Sequence, residues 1–179
     1  MYDKIQVRTE IKNLKQGFTE AQKQAEADIV FHKIESFPEF ENAETILMYW
    51  SLPDELPTHR FVEKWSRSKQ ILLPAIQVNE MMIKRYSTSN LLKQGLLGIL
   101  ESNVDEIFEG KIDLVIVPGI AFDLQKNRLG RGKGFYDRFF EQNQLLKIGV
   151  CFVFQLLESV PHSEHDIKMD IIVTSDGIF

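Results

Sequence analysis

Three glycines alternate with two cationic residues in a short segment, Gly130-Arg131-Gly132-Lys133-Gly134, which directly precedes an apolar helical pattern. Glycine lets the backbone approach an anion closely, and backbone amides in such a loop can point at that anion. The amino end of the following helix adds about half a positive charge directed at the same place. The chemistry that this spacing favours is the binding of phosphate groups.

The charge around this segment is opposite in sign to that of the chain as a whole. The 179 residues hold 21 Lys and Arg against 26 Asp and Glu, a formal net charge of −5. Between positions 126 and 138, Asp137 is the only acid, and the cations are Lys126, Arg128, Arg131, Lys133 and Arg138. A phosphate-rich ligand accounts for this local excess of positive charge better than a surface turn with scattered charges.

The spacing matches neither of two common nucleotide-binding signatures. A Walker loop needs Ser or Thr after its Gly-Lys pair, and Gly134 follows Lys133 here. The dinucleotide fingerprint needs Gly-x-Gly-x-x-Gly, and the third glycine here comes one residue early. The segment therefore predicts anion binding without identifying the type of nucleotide enzyme.

Two aspartates near this segment are candidate metal ligands. Asp137 follows the glycines, and Asp166 lies near the last predicted strand. Magnesium takes one or two carboxylates together with water and substrate phosphates, which suits two separated aspartates beside a phosphate loop. The alternatives are a helix-start acid for Asp137 and a turn or cap residue for Asp166. His162 and His165 lack a third and a fourth zinc ligand, which favours a surface loop there.

Two further segments hold candidate ligand-binding side chains. Trp50 ends a predicted strand and Glu55 follows it, and there an aromatic ring and a carboxylate can orient a flat heterocycle; a core tryptophan and a solvated acid are the alternative. Lys4 and Arg8 place two cations on one side of the first predicted helix, and a solvated helix face is the alternative. Cys151 lies inside a predicted strand and is not expected to be a nucleophile, because buried thiols are usually inert.

The elements that must position these residues are helices followed by short apolar strands. Helices are predicted over residues 3–16 and 20–36, with Ala21, Ala25 and Ile29 in the apolar stripe of the second. Strands are predicted at 46–50, 71–74, 82–86, 114–118, 148–152 and 171–174. Near-continuous apolar strands with helices between them indicate a sheet covered on both faces, an α/β sandwich.

Composition excludes several classes of protein. A hydrophobic share of 44% and a charged share of 26% exclude disordered and fibrous proteins. The negative net charge argues against general nucleic-acid or membrane binding, and no apolar run is long enough to cross a bilayer. The polar start of the chain lacks the apolar core of a signal peptide, and a single Cys excludes an internal disulfide. We therefore expect one domain over residues 1–179, located in the cytoplasm.

Taken together, these motifs resemble the 5-formyltetrahydrofolate cyclo-ligase family, also called methenyltetrahydrofolate synthetase. The resemblance covers nearly the whole chain, and the glycine segment with its flanks is its most specific part. The matching motifs are Lys4-x-x-x-Arg8, the strand end near Trp50 and Glu55, Val117-Pro118-Gly-x-x-Phe122-Asp123, Arg128-Leu-Gly130-Arg-Gly132-Lys-Gly134-Phe-Tyr136-Asp137, Gln155-Leu, Val160-Pro161 and His165-Asp166-x-x-x-Asp170.

The resemblance implies an enzyme, an ATP- and magnesium-dependent ligase. Its reaction converts 5-formyltetrahydrofolate to 5,10-methenyltetrahydrofolate through a phosphorylated formyl group, with release of ADP and phosphate. The implied fold is a three-layer α/β/α sandwich around a mostly parallel or mixed sheet, with N-terminal helices. The expected partners are small molecules, with no nucleic acid and no membrane, and the expected state is a monomer.

The resemblance also implies roles for individual residues. The ATP-binding set is Lys4, Arg8, Arg128, Gly130, Arg131, Gly132, Lys133, Gly134, Phe135 and Tyr136. The folate-binding set is Trp50, Glu55, Arg131, Gly132, Lys133, Gly134 and Phe135, and the metal ligands are Asp137 and Asp166. Lys133 and Arg131 are the predicted catalytic cations. Phe135 departs from a tyrosine frequently found in the family, and Trp50 from an aliphatic residue.

Three alternatives compete with the cyclo-ligase interpretation. A non-catalytic nucleotide- or folate-sensing module would retain the loop, yet a decayed site should have lost one of its charged residues. A relative could have the same fold and act on another formyl or carboxyl substrate, and only substrate tests can distinguish it from a cyclo-ligase. A nucleic-acid-binding protein using the cations of 126–138 is disfavoured, because no aromatic residues are interleaved with them on strands.

Overall fold

Two capped helices, α1 (Lys4–Lys15) and α2 (Glu20–Glu35), come first and agree with their predicted bounds to within one residue. Both start with a capping box, in which the side chains of Asp3 and Thr19 accept hydrogen bonds from first-turn amides. No helix among the described residues is long and apolar enough to cross a membrane. The structure is a computed structural model, and the residues that it describes are 3–77, 80–88, 92–95, 100–102 and 106–179.

The apolar face of α2 differs from the predicted one. Ala21, Ala25 and Ile29 are exposed, and the stripe prediction was therefore wrong. The side chains that α2 buries in the core are Ala27, Val30, Phe31 and Ile34. This second set offers more apolar area than two alanines and one isoleucine, so its burial stabilises the fold more.

The later elements alternate between strands and short helices. In chain order the strands are β1 (Thr45–Leu47), β2 (Gln70–Gln77), β3 (Glu80–Arg85), β4 (Leu92–Gln94), β5 (Leu100–Ser102), β6 (Leu114–Pro118), β7 (Ala121–Asp123), β8 (Arg128–Leu129), β9 (Leu146–Val150), β10 (Leu156–Leu157) and β11 (Ile171–Val173). The helices among them are α3 (Pro38–Asn42), α4 (His59–Trp65), α5 (Phe135–Gln142) and a 3-10 turn (Val153–Gln155).

The central sheet has the strand order β11-β9-β6-β1-β2-β3. Its neighbours are parallel, except that β2 and β3 form an antiparallel pair at one edge. A smaller sheet has the order β10-β7-β8, and β4 pairs with β5. The prediction of an α/β fold with a mixed, mostly parallel sheet is confirmed.

The central strands are apolar on both sides because both faces of the sheet are covered. On β6, Leu114 and Ile116 pack with the core formed by α2, α3 and α4. Val115 and Val117 point to the opposite face, where α5 contributes Phe140. Successive residues of a strand alternate between faces, so a continuous apolar run is what a sandwiched strand requires.

Two of the segments with predicted site residues follow the carboxyl ends of the neighbouring strands β1 and β6. The chain continues from β1 into residues 48–55, and from β6 through β7 and β8 into the glycine segment and α5. Ligands of parallel α/β sheets bind in the crevice beyond these ends. The topology therefore brings segments that are distant in sequence to the same edge of the sheet.

Candidate functional site

One cavity of about 400 Å³ receives all the residues predicted for the site. They reach it from four places: Lys4 and Arg8 in α1, Trp50 and Glu55 after β1, the segment 128–137, and Asp166. The volume falls within the range of small-molecule sites. Their individual roles stay predictions, but their common location is a property of the fold.

An apolar wall, which the sequence did not predict, completes the cavity. Pro74 and Ile76 come from β2, and Met81 comes from β3, where it is paired with Ile76. Tyr49 and Leu52 add to the lining from the segment after β1. Pro74 and Ile76 are two residues apart and so lie on one face of β2, but the sequence does not say which face meets the site.

The glycine segment adopts a backbone that requires glycine. Gly132 has φ +90° and Gly134 has φ +65°, in the left-handed region that side chains disfavour. A Cβ at Gly132 would lie 3.2 Å from Nη2 of Arg8, whose Nε donates to the carbonyl of Gly130 at 3.0 Å. Gly134 is the N-cap of α5. The first amides of α5 therefore begin where the glycine segment lines the cavity.

Arg128 and Asp137 form the most buried ion pair of the cavity. Nη2 of Arg128 donates to both carboxylate oxygens at 3.0 Å, and the two side chains are 4% and 18% exposed. The backbone amide of Ile167 also donates to Asp137, at 3.3 Å. A predicted metal ligand is thus neutralised by a predicted ATP-binding cation in this structure.

A second pair of the same kind joins Lys4 to Asp166. Asp166 also accepts hydrogen bonds from the amide and hydroxyl of Ser163. Partial burial opposes ionisation, but the hydrogen bonds from Lys4 and Ser163 outweigh it and hold the pKa of Asp166 below its ordinary value. Asp166 is therefore an ionised carboxylate at neutral pH.

Arg131 bridges two acids on the other side of the cavity. Its Nη2 donates to Asp54 at 2.6 Å and its Nε to Glu55 at 3.1 Å. Lys15 approaches the second oxygen of Asp54 at 3.4 Å. Burial opposes ionisation of Asp54, yet Lys15 and Arg131 together lower its pKa. Asp54 and Lys15 were not among the predicted site residues.

Lys133 differs from these cations. Its side chain forms no ion pair with any residue that the structure describes, whereas Lys4, Arg128 and Arg131 each have a carboxylate partner. Its backbone carbonyl accepts a hydrogen bond from Arg138 at 3.0 Å, which ties the segment to α5. Lys133 can therefore bind an anion without first leaving another partner.

Asp137 and Asp166 have the donor chemistry that magnesium prefers. Both line the cavity beside the glycine segment, and the residue after Asp166 contacts Asp137 through its backbone. Among the described residues, no group of three or more His, Cys, Asp or Glu is placed to hold a metal ion, and this includes His162 and His165. Two carboxylates fit a magnesium ion whose other ligands are substrate oxygens and water.

Trp50 is packed among rings and is only 8% exposed. His59 stacks on it at 4.1 Å between ring centres, and Tyr86 does so at 5.7 Å. The carbonyl of Ser51 accepts a hydrogen bond from Nε2 of His59 at 3.1 Å when that nitrogen is protonated. The stacking that the sequence predicted for a ligand is here made with protein rings.

We expect this stack to weaken in mild acid. Burial lowers the pKa of His59 from its ordinary value of 6.5, against the opposing effect of the hydrogen bond to Ser51. His59 therefore binds a proton more tightly in the unfolded chain than in the folded protein. The free energy of unfolding falls as the pH drops from 6.5 through the pKa of His59 in the folded state. His59→Gln should flatten this part of a melting-temperature profile against pH. An unchanged acid-side slope would contradict the prediction.

The hydroxyl of Tyr136 lacks a hydrogen-bond partner in the part of the chain that the structure describes. It is buried and has no hydrogen bond to any described atom, while the ring lies 5.4 Å from the Arg128 guanidinium. Burial and the nearby Glu55 carboxylate raise the pKa of Tyr136 well above its ordinary value, so it is a neutral donor. A buried hydroxyl without a partner costs stability, which a bound ligand can recover.

Tyr136→Phe should therefore separate stability from ligand binding. We expect an unchanged or slightly raised melting temperature in the ligand-free protein, because the lost hydroxyl made no hydrogen bond. The KM for one substrate should rise about tenfold, the size of one buried hydrogen bond. Thermal melting and steady-state kinetics check both parts. A lower melting temperature with an unchanged KM would show that the hydroxyl has a structural partner instead.

The fold and the cavity are those of an α/β protein with a small-molecule pocket, whose glycine segment and cations have the chemistry that suits an anion. The family model described as the 5-formyltetrahydrofolate cyclo-ligase family matches residues 1–175. The chain belongs to this family. Membership makes it a ligase of folate one-carbon metabolism that acts on small molecules, and it implies ATP as a co-substrate.

Individual relatives agree along the whole chain. The 5-formyltetrahydrofolate cyclo-ligase of Haemophilus influenzae is 31% identical over 180 residues, covering 94% of this chain and 96% of its own. The Mus musculus enzyme of that name is 27% identical over 188 residues, covering 96% and 93%. The solved Aquifex aeolicus 5,10-methenyltetrahydrofolate synthetase has a TM-score of 0.88 and 30% identity, covering 98% and 91%. The Mycoplasma pneumoniae synthetase, at 22% identity and a TM-score of 0.79, shows the same fold.

Proposed function

We propose that the chain catalyses the ATP- and magnesium-dependent cyclisation of 5-formyltetrahydrofolate to 5,10-methenyltetrahydrofolate, with release of ADP and phosphate. The observation that carries this proposal is the single cavity that combines a glycine segment, five cations and three carboxylates with an apolar wall. The polar part suits a nucleotide phosphate chain, and the apolar part suits a flat pteridine ring.

The chemistry follows from the poor reactivity of a formamide. Its oxygen is a poor leaving group at neutral pH, so ring closure needs that oxygen activated. Transfer of the ATP γ-phosphoryl group to the formyl oxygen breaks the bond to ADP and leaves an electrophilic iminium carbon. The neighbouring folate nitrogen attacks this carbon, and the carbon–oxygen bond then breaks as phosphate departs. The formyl oxygen leaves as part of that phosphate, and the attacking nitrogen gives up its proton to the phosphate or to solvent.

Such a transfer needs positioned positive charge more than a covalent nucleophile. Lys133 and Arg131 would stabilise the transferring phosphoryl group, while Lys4, Arg8, Arg128 and residues 130–136 would hold ATP. Trp50, Glu55 and residues 131–135 would border the folate. Cys151 is 1% exposed and burial raises the pKa of its thiol, which supports its exclusion as a nucleophile.

Magnesium would be held by Asp137 and Asp166, and it would neutralise charge on the phosphate oxygens when bound. Because both aspartates are ion-paired in the ligand-free structure, binding of magnesium and ATP would require the aspartates and their cations to exchange partners. Arg128 would leave Asp137 and Lys4 would leave Asp166, so that each cation could bind a phosphate as its carboxylate binds the metal. The exchange keeps every charge paired and links the affinities for ATP and magnesium.

The remaining features of the proposal concern the whole chain. Residues 1–179 would act as one cyclo-ligase-like domain and as a monomer in the cytoplasm, with small molecules and no nucleic acid or membrane as partners. Sedimentation of the purified chain tests the monomer, and cell fractionation tests the location.

An omission experiment tests the reaction directly. The purified chain is incubated with 5-formyltetrahydrofolate, ATP and magnesium, each left out in turn, and the near-ultraviolet absorbance of the methenyl product is followed. We expect a rise only when all three are present. No rise with ATP still bound would favour a sensing module, or a relative acting on a different formyl or carboxyl substrate.

A further inference from the structure

A second concavity, which we call the α1 groove, adjoins the cavity along the side of the first helix. Its volume is about 510 Å³, and three of its lining residues, Arg8, Lys12 and Lys15, belong to α1, with Gln16 directly after them. The other lining residues are Asp54, Ile120 and Arg131. No role predicted for the site requires this groove.

The α1 groove is continuous with the cavity because two side chains line both. Arg8 and Arg131 form part of each wall. Lys4, Arg8, Lys12 and Lys15 follow one another at intervals of four, four and three residues, which places them along one face of the helix. A stripe of cations therefore runs from the cavity into the groove, and it covers about 10 Å between Arg8 and Lys15.

The groove has a surplus of positive charge. The lining has four cations, Arg8, Lys12, Lys15 and Arg131, and one carboxylate, Asp54; Lys15 and Arg131 share Asp54, and Arg131 also pairs with a second acid outside the groove. Lys12 is exposed and forms no ion pair with any residue in the described part of the chain. Burial is the main cause that lowers the pKa of Lys15, and the nearby Arg131 adds to it. A bound anion would relieve this repulsion, in a protein whose net charge is −5.

We infer that the α1 groove is the subsite for the γ-linked glutamyl tail of the folate substrate, whose carboxylates bind Lys12 and Lys15 in succession. The inference rests on the proposed function, since it assigns one part of that substrate to a surface beside the cavity. A chain of separate carboxylates matches cations that are one helical turn apart. A nucleotide triphosphate is compact and has the glycine segment for its oxygens, so it leaves the groove free.

Kinetics with two substrates test the assignment. The KM for monoglutamyl and pentaglutamyl 5-formyltetrahydrofolate, and the KM for ATP, are measured for the wild type, Lys12→Gln and Arg67→Gln. Arg67 is an exposed cation outside the linings of the cavity and the groove, and it serves as the matched control. Lys12→Gln should reduce the preference for the pentaglutamyl form roughly three- to fivefold, the effect of one partly solvated charge pair. Arg67→Gln should leave it unchanged.

Each other kinetic outcome overturns the inference. If Lys12→Gln instead raises the KM for ATP, the groove binds the nucleotide. If Lys12→Gln raises the KM for both folates equally, or changes neither KM, the tail does not reach Lys12. A wild type that turns over neither folate would contradict the proposed function itself, and the binding experiment would then decide on the groove.

Direct binding gives a readout that needs no turnover. A penta-γ-glutamyl peptide without a pterin is titrated into the full chain by calorimetry, at low and at high salt. We expect saturable binding that Lys12→Gln weakens and that high salt abolishes, because exposed charges are screened. Lys15→Gln should weaken it further, with thermal melting to confirm that this variant folds. Binding that is indifferent to both substitutions would overturn the assignment.

Discussion

Lys133→Met should reduce turnover at least a thousandfold while the protein stays folded. Lys133 lies in the glycine segment on the wall of the cavity, and its ammonium has no ion pair among the described residues. A preorganised cation directed at charge that develops during phosphoryl transfer contributes about 10³-fold or more to the rate. Steady-state kinetics with saturating substrates measure the loss in kcat, and thermal melting measures the fold.

A matched lysine makes this result specific. Lys168 is exposed, follows Asp166 by two residues and lies outside the cavity lining, so Lys168→Met controls for the loss of a surface cation. It should keep turnover within about twofold, since exposed charges contribute little. If Lys133→Met retained wild-type kcat with only a raised KM, Lys133 would bind the ground state and would not stabilise the transition state.

Local signals made the central fold predictable. The apolar run at 114–118 is sandwiched between two layers, and its sequence shows this directly because both faces of β6 are buried. The capping boxes of α1 and α2 are also local features, since each needs only two residues three positions apart. The strands β7, β8 and β10 have two or three residues each, too few to show a period of two.

The face of α2 shows where local reasoning fails. Ala21, Ala25 and Ile29 repeat at the helical period as Ala27, Phe31 and Ile34 also do, so the sequence offers two stripes. Which stripe is buried depends on what α2 packs against, and that is decided by the rest of the core. The larger stripe is buried because it removes more apolar area from water.

The sequence predicted which charged residues line the candidate site, but it did not predict which ion pairs they form. The glycine segment and its cations are contiguous in sequence, and the glycine conformations at 132 and 134 explain the alternation. The contact of Arg131 with Asp54 joins residues 77 positions apart, which only the strand order brings together. Lys15 could have been suspected from its spacing with Lys4 and Arg8, but its burial beside Asp54 could not.

Asp137→Asn should lower both stability and metal-dependent turnover, and the two losses have separable causes. Arg128 is 4% exposed and its Nε lacks a hydrogen-bond partner among the described atoms, so it depends on Asp137 for neutralisation. Loss of one partner of a buried pair costs about 3–5 kcal/mol, and we expect about 2–3 kcal/mol here because Asp137 is partly exposed. For a chain of this size that lowers the melting temperature by about 4–12 °C.

A second substitution separates the structural effect from the metal effect. In the double variant Arg128→Met and Asp137→Asn the unpaired charge is gone, so the melting temperature should recover, since an apolar replacement of a buried pair is often neutral. Turnover should stay at least a hundredfold below wild type, because a proposed magnesium ligand and a phosphate cation are both missing. Recovered turnover in the double variant would contradict the metal role of Asp137.

Asp166→Asn completes the comparison, because its ion pair is more exposed. The side chains of Lys4 and Asp166 are 33% and 21% exposed, so losing this pair should cost no more than about 1 kcal/mol. Turnover should nevertheless fall about as far as in Asp137→Asn, and added magnesium should restore part of it in both variants. If the two substitutions change the magnesium dependence equally but the melting temperature unequally, the two aspartates share one metal ion, and only Asp137 also belongs to a buried structural ion pair. Wild-type magnesium dependence in Asp166→Asn would remove Asp166 from the metal site.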